Sequence, residues 1–156
     1  MSFAEIRFAT AAELAAALRR RRVSSVEIVR ASLDLLGKLG PKYNAIAALT
    51  RERALDEAKR ADVAIAKRQG GPLTGIPYGA KDLLAARGAP TTWGAPPYRD
   101  QIIGEDATVV AKLKKNGAVL AAKLAMVELA GGGGYRYPSA SLQGPEIGRA
   151  SCRERV

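Results

Sequence analysis

Apolar residues recur at helical spacing through the first third of the chain. Ala11, Leu14, Ala15 and Leu18 lie three or four apart, and Thr10 with Glu13 makes a capping-box pattern, so the spacing predicts a helix over 11–22. Ser24 with Glu27 repeats the box. Ile28, Val29, Ser32, Leu33, Leu35 and Leu36 then supply one face of a second helix, expected to end near Gly37 to Gly40 because Pro41 blocks continuation. Residues 44–49 form a short apolar run of strand length. Thr50 is placed to cap a third helix over 51–67, with Ala54, Leu55, Ala58, Ala61 and Ile65 inside, Glu57 and Asp62 outside, and Gly70-Gly71 as its stop.

From residue 70 the pattern loses its helical period. Gly70, Gly71, Pro72, Gly75 and Pro77 exclude a helix, and two apolar pieces, 76–80 and 83–86, read as strands on either side of Lys81. Residues 88–97 hold too many glycines and prolines for anything but a loop, in which Trp93 is read as a packing anchor ahead of the alternative, a residue lining a substrate cleft. Asp106 can cap a helix whose face is Val109, Val110 and Leu113 and whose stop is Gly117. Residues 118–122 are a further strand, and 124–129 make one or two helical turns. The glycines at 131–134 read as a flexible connection, because no Lys-Ser/Thr pair of a phosphate loop follows them. Strand, helix, strand between 76 and 122 gives an α/β class: N-terminal helices plus part of a mixed β-sheet.

Composition narrows the chemistry. The 156 residues suffice for one domain, and 47% are apolar, so a core is within reach, but only 5% are aromatic. The absence of histidine excludes a Ser-His-Asp triad and a histidine-ligated metal within this chain. A single cysteine, Cys152, excludes a disulfide framework and a cysteine zinc site. Glu5, Arg7 and Glu13 interrupt any apolar opening run, and no long apolar span follows, so neither a signal peptide nor a membrane segment is expected; a cytoplasmic location is the default. The net charge of +10 raises nucleic acid as a partner. Its basic residues are dispersed or close helix ends, as at 19–22 and 112–115, and no aromatic residues interleave with them. Solvated helix faces account for the charge better than direct contact with nucleic acid.

Lys81 is the candidate for chemistry. Its apolar flanks are expected to draw it to the interior at a strand end, where burial disfavours the charged form and a neutral lysine can act as a base. A snorkelling side chain, or a partner for Asp82, is the structural alternative. The run Gly-Pro-Leu-Thr-Gly-Ile-Pro-Tyr-Gly-Ala-Lys-Asp at 71–82 resembles the first signature block of the amidase signature family. The resemblance extends from about residue 11 to 145. It includes Ser25-x-Glu27, Asn44-Ala45, Thr91-Thr92-x-Gly94, the run Gly117-Ala118-Val119-Leu120 and Gly144-Pro145.

The resemblance implies hydrolysis of a carboxamide through a serine acyl-enzyme, with a triad of serine, a serine preceded by a cis peptide bond, and a lysine. That lysine maps onto Lys81. It implies no cofactor and no metal, and a small-molecule amide as substrate. Both family serines follow the Gly-Pro element that here is Gly144-Pro145, so Ser139 and Ser141 do not correspond to them, and the chain as given is expected to be inactive. Ser24 and Ser25 read as helix caps. Lys123, after the 118–122 strand, falls at a family position taken as structural. Residues 1–145 are expected to be the N-terminal portion of the domain. Residues 146–156, where the resemblance breaks off, read as the translation of a sequencing adapter. Three functions stay open: an amidase, the glutamine-hydrolysing amidase subunit of a tRNA-dependent amidotransferase working with partner subunits, and a basic binding module without enzymatic activity.

Overall fold

The computed structural model describes residues 3–131, with five helices and three strands among them, of which the helix at Phe3–Phe8 has no counterpart in the sequence pattern. Caps and a few inward-facing polar side chains set their boundaries. The expectations for Ser139, Ser141, Gly132 to Gly134, the boundary at 145 and the tail lie outside the described residues. Helices α1 (Phe3–Phe8), α2 (Ala11–Arg19) and α3 (Ser25–Tyr43) come first. Strand β1 (Ile46–Leu49), α4 (Arg51–Ala66), β2 (Pro77–Lys81), α5 (Thr108–Lys115) and β3 (Val119–Leu124) follow, with 3-10 turns at Pro96–Tyr98 and Glu128–Ala130. The sheet has the order β1-β3-β2. β1 runs antiparallel to β3, with Ile46 opposite Leu124 and Leu49 opposite Ala122. The Val119 N–H donates to Ile76 O and the Asp82 N–H to Leu124 O, so β2 and β3 advance together and the sheet is mixed. The described chain divides into two compact units, one of residues 3–34, 50–78 and 108–121, the other of 35–49, 79–107 and 122–131.

In the first unit both capping boxes form. The Glu13 N–H donates to Thr10 Oγ1 at 3.2 Å, and the Thr10 N–H donates to Glu13 Oε2 at 2.7 Å. The Glu27 N–H donates to Ser24 Oγ at 3.1 Å, and the Ser24 N–H donates to Glu27 Oε2 at 2.7 Å. α2 ends at Arg19, short of the expected limit, because Arg21 turns to a φ of 51°. Leu14, Ala15, Ala17, Leu18, Val23, Ile28 and Ile76 form a core cluster, with Ile6, Ala9 and Ile65 against it.

Several polar residues in this unit turn inward where the pattern put them elsewhere. Asp62 accepts from the Ser25 and Val26 N–H groups at 2.6 and 3.2 Å, satisfying two of the amides that the start of α3 leaves without helical partners. Glu57 accepts from Leu120 N at 3.0 Å and from Arg53 Nε at 2.8 Å. Neither carboxylate is on the outer face, because backbone N–H groups that burial removes from water need acceptors. Ser25 is fully buried and its hydroxyl donates to Gly75 O at 3.0 Å rather than capping. Thr50 stands at the N-cap of α4, yet its hydroxyl donates to Leu120 O at 2.6 Å and makes no cap bond. α4 closes at Lys67, with Arg68 at a φ of 57°, ahead of the glycines at 70–71.

In the second unit α3 continues through Gly37, Gly40 and Pro41 to Tyr43, past the expected stop. Pro41 removes one donor near the end of the helix, and termination comes at Asn44, with a φ of 52° and the Ala45 N–H on Gly40 O at 3.1 Å. Gly40 serves a close approach instead: a Cβ there would overlap Ile46 Cγ1. Residues 83–86 are not a strand. The Leu84 N–H closes a turn on Lys81 O at 2.9 Å, and the chain leaves the sheet at Asp82. Asp106 Oδ1 accepts from the Arg87 N–H at 2.8 Å.

Two outcomes follow for stability. Gly75 has a φ of 82°, and a Cβ there would sit 2.9 Å from Ser25 Cβ. Gly75→Ala therefore lowers unfolding free energy by about 1–3 kcal/mol, read as a shift in denaturant midpoint at unchanged slope. The capping hydrogen bonds from Thr10 to Glu13, and from Ser24 to Glu27, hold both carboxyls below their usual range. A folded-state pKa below the unfolded one gives stability that is present above the ordinary glutamate pKa of about 4.3 and is lost as pH falls through the folded value. Helical circular dichroism and melting temperature decline over that acid window, and Glu13→Gln with Glu27→Gln flattens the decline.

Candidate active site

β2 carries alternate residues to opposite faces. Ala80 and Asp82 are buried, while Gly79 and Lys81 are exposed. The expectation that Lys81 faces the interior is therefore corrected. The apolar flanks bury its neighbours, and the two-residue period of a strand then turns Lys81 the other way. Lys81 closes β2, and its carbonyl accepts from Leu84.

The buried lysine is Lys123. It lies within β3, whose residues Val119 to Lys123 are all buried, and its side chain has no exposure. Its ammonium donates to Asp82 Oδ1 at 2.7 Å, to Thr91 Oγ1 at 3.1 Å and to Pro90 O at 3.1 Å, which uses all three of its N–H groups. Asp82 Oδ2 accepts from the Thr92 N–H at 3.1 Å and from the Thr92 hydroxyl by a short contact. Thr92 Oγ1 in turn accepts from Gly94 N at 3.2 Å. Each charge in the pair is thus matched and hydrogen-bonded, the condition under which a buried ion pair is tolerated.

The loop after Asp82 is shaped around this pair. The Thr91 N–H donates to Gln101 O, and Gln101 Nε2 donates to Thr91 O at 2.8 Å. Trp93 adopts a φ of 51° and packs edge-on against Tyr98 with ring centroids 4.8 Å apart, the packing role expected of it. Gly94 follows at a φ of 67°, where a Cβ would stand 2.5 Å from Met126 O, so only glycine fits.

The sequence pattern singles out Lys81 and does not group Asp82, Thr91 and Thr92 around a second lysine. One signal of that group is present: Lys123 stands inside Ala-Val-Leu-Ala-Ala-Lys-Leu-Ala at 118–125, a run with no other polar residue. A lysine at the centre of such a strand requires an internal anion, and Asp82 supplies it. The structure brings Asp82, Thr91, Thr92 and Lys123 together and leaves Lys81 on the other face.

Breaking this pair costs more than an ordinary surface change. Asp82→Ala or Lys123→Met alone strands a buried charge and lowers unfolding free energy by roughly 3–5 kcal/mol. Lys59→Met, which removes an exposed pairing with Asp56 at 3.6 Å, changes it by about 1 kcal/mol or less. Equilibrium denaturation of the three variants measures the contrast.

Comparison with known proteins adds the family. The Amidase family model matches residues 27–140. A glutamyl-tRNA(Gln) amidotransferase subunit from Methylococcus capsulatus is 42% identical over 123 residues, covering 79% of this chain and 25% of that protein. The subunit of the same name from Azoarcus sp. is 44% identical over 124 residues, covering 80% and 26%. Among solved structures, the native peptide amidase of Stenotrophomonas maltophilia superposes with a TM-score of 0.75 at 27% identity, over 81% of this chain and 26% of that one. The chain spans about a quarter of the length of the curated relatives it matches.

Proposed function

Because the chain belongs to the amidase family, we propose that it forms the N-terminal portion of an enzyme that hydrolyses a carboxamide, with Lys81 as the base. The observation that carries this reading is the family block at 71–82 within the matched region, which puts its lysine at the end of β2. In the proposed reaction a serine attacks the amide carbonyl. A second serine passes its proton to the lysine, and backbone N–H groups hold the oxyanion. The two serines belong to sequence that follows a Gly-Pro element in the family. The exposed face of β2 at Gly79 and Lys81 is the side on which such groups could approach the lysine nitrogen.

A second reading rests on the curated relatives. Those at 42–44% identity are named as subunits of glutamyl-tRNA(Gln) amidotransferases. On that reading the amide is glutamine, the ammonia released passes to a partner subunit, and the protein works in the cytoplasm within a multi-subunit assembly.

The experiment is steady-state kinetics on small carboxamides and on glutamine, with protein expressed from the uninterrupted reading frame. Lys81→Ala lowers kcat on the order of a hundredfold to ten-thousandfold, with KM little changed. Lys81→Arg does not restore turnover, because arginine stays protonated. Wild-type turnover by Lys81→Ala overturns the assignment of the base. Turnover of glutamine but not of simple carboxamides selects the amidotransferase reading.

A further inference from the structure

Asp82 and Lys81 are neighbours in sequence with opposite facings, and the N–H and both carboxylate oxygens of Asp82 are engaged. Its N–H donates to Leu124 O at 2.9 Å, its Oδ1 accepts from Lys123 and its Oδ2 accepts twice from Thr92. On the other side, the Lys81 carbonyl accepts from Leu84 N–H at 2.9 Å. The peptide between residues 81 and 82 is therefore held from both flanks. We infer that the buried Asp82–Lys123 pair is a positioning device for Lys81, fixing the strand facing that presents the lysine on the exposed side of β2. This rests on the assignment of Lys81 as the base.

The physical argument is one of facing. In a strand, a slip of one residue carries each side chain to the opposite face. Ala80 discriminates weakly between the two facings, being small, while at Gly79 a Cβ would stand 2.7 Å from Leu124 Cδ2, so that position favours the observed facing as well. Asp82 discriminates strongly. If it turned outward, the Lys123 ammonium would remain at zero exposure with its anion gone, a state that burial penalises heavily. Lys81 would then turn inward beside Lys123, and two like charges would share one interior. The pair thus makes one facing of residue 81 far more favourable than the other. Thr92, tied to Asp82 Oδ2 and to Gly94 N–H, adds a brace from the loop. Asp82, Lys123 and Thr92 touch no reacting atom in this scheme; they act through the backbone of residue 81.

A purely structural pair and a positioning pair respond differently to joint replacement. Removing both charges in favour of apolar side chains is often neutral for stability, because no charge is left stranded. The test is Asp82→Ala/Lys123→Met, which strands no charge and leaves residue 82 without a side chain that prefers one facing, in the protein expressed from its uninterrupted reading frame, with melting temperature, kcat, KM and the pH profile of kcat measured together. The expected result is stability close to wild type, KM within about twofold and kcat lower by about ten- to hundredfold, with the pH profile displaced. Wild-type kcat in the folded double variant overturns the inference, as does a change confined to KM. If the double variant fails to fold, Thr92→Val decides, since it keeps both charges and removes the hydroxyl on Oδ2. A kcat lower by about threefold or more at unchanged KM supports positioning, and wild-type kcat overturns it. Lys81→Ala is run alongside. Full turnover in that variant means the base is assigned wrongly, whereas loss of turnover there with wild-type turnover in the double variant means the base stands and the positioning role fails.

Discussion

An ammonium with no access to water sets the terms for the second unit. Lys123 needs an anion and three acceptors, and the chain meets that need with Asp82, Thr91 and the Pro90 carbonyl. Meeting it dictates where β2 ends, which residue of β2 points inward and how the 90–94 loop is bent. The left-handed conformations of Trp93 and Gly94 follow from bringing that loop close enough to Met126. A burial of this kind contributes little net stability. Its value is that few other arrangements of the same residues satisfy it.

The class of the fold was legible in the sequence, and so were most elements. Capping boxes at Thr10 and Ser24 and the glycine stop at Gly117 are local chemistry, and local chemistry needs only neighbouring residues. Boundaries decided by distant residues were not legible. α3 runs past Pro41 because Gly40 packs against Ile46, and a proline near the end of a helix interrupts few bonds. Residues 83–86 look strand-like in composition, yet Asp82 must turn inward and the chain bends there.

The candidate site shows the same division. The family block identifies Lys81 as the residue of interest, but its facing could not be read from apolar flanks, because both facings of a strand have the same neighbours in sequence. Assigning Glu57 and Asp62 to an outer face by their spacing failed likewise, since each accepts from N–H groups that the pattern gave no reason to expect nearby.

The carboxylate of Asp62 has a consequence for the order in which structure forms. It closes the first turn of α3 from 37 residues away, whereas the Ser24–Glu27 box closes it from within. Half of that helix's start is therefore available to an isolated segment, and half becomes available only when α4 has arrived. Loop closure on this scale is slow relative to helix propagation, so α3 acquires its full N-terminal anchoring late, as an event of assembly and not of local folding.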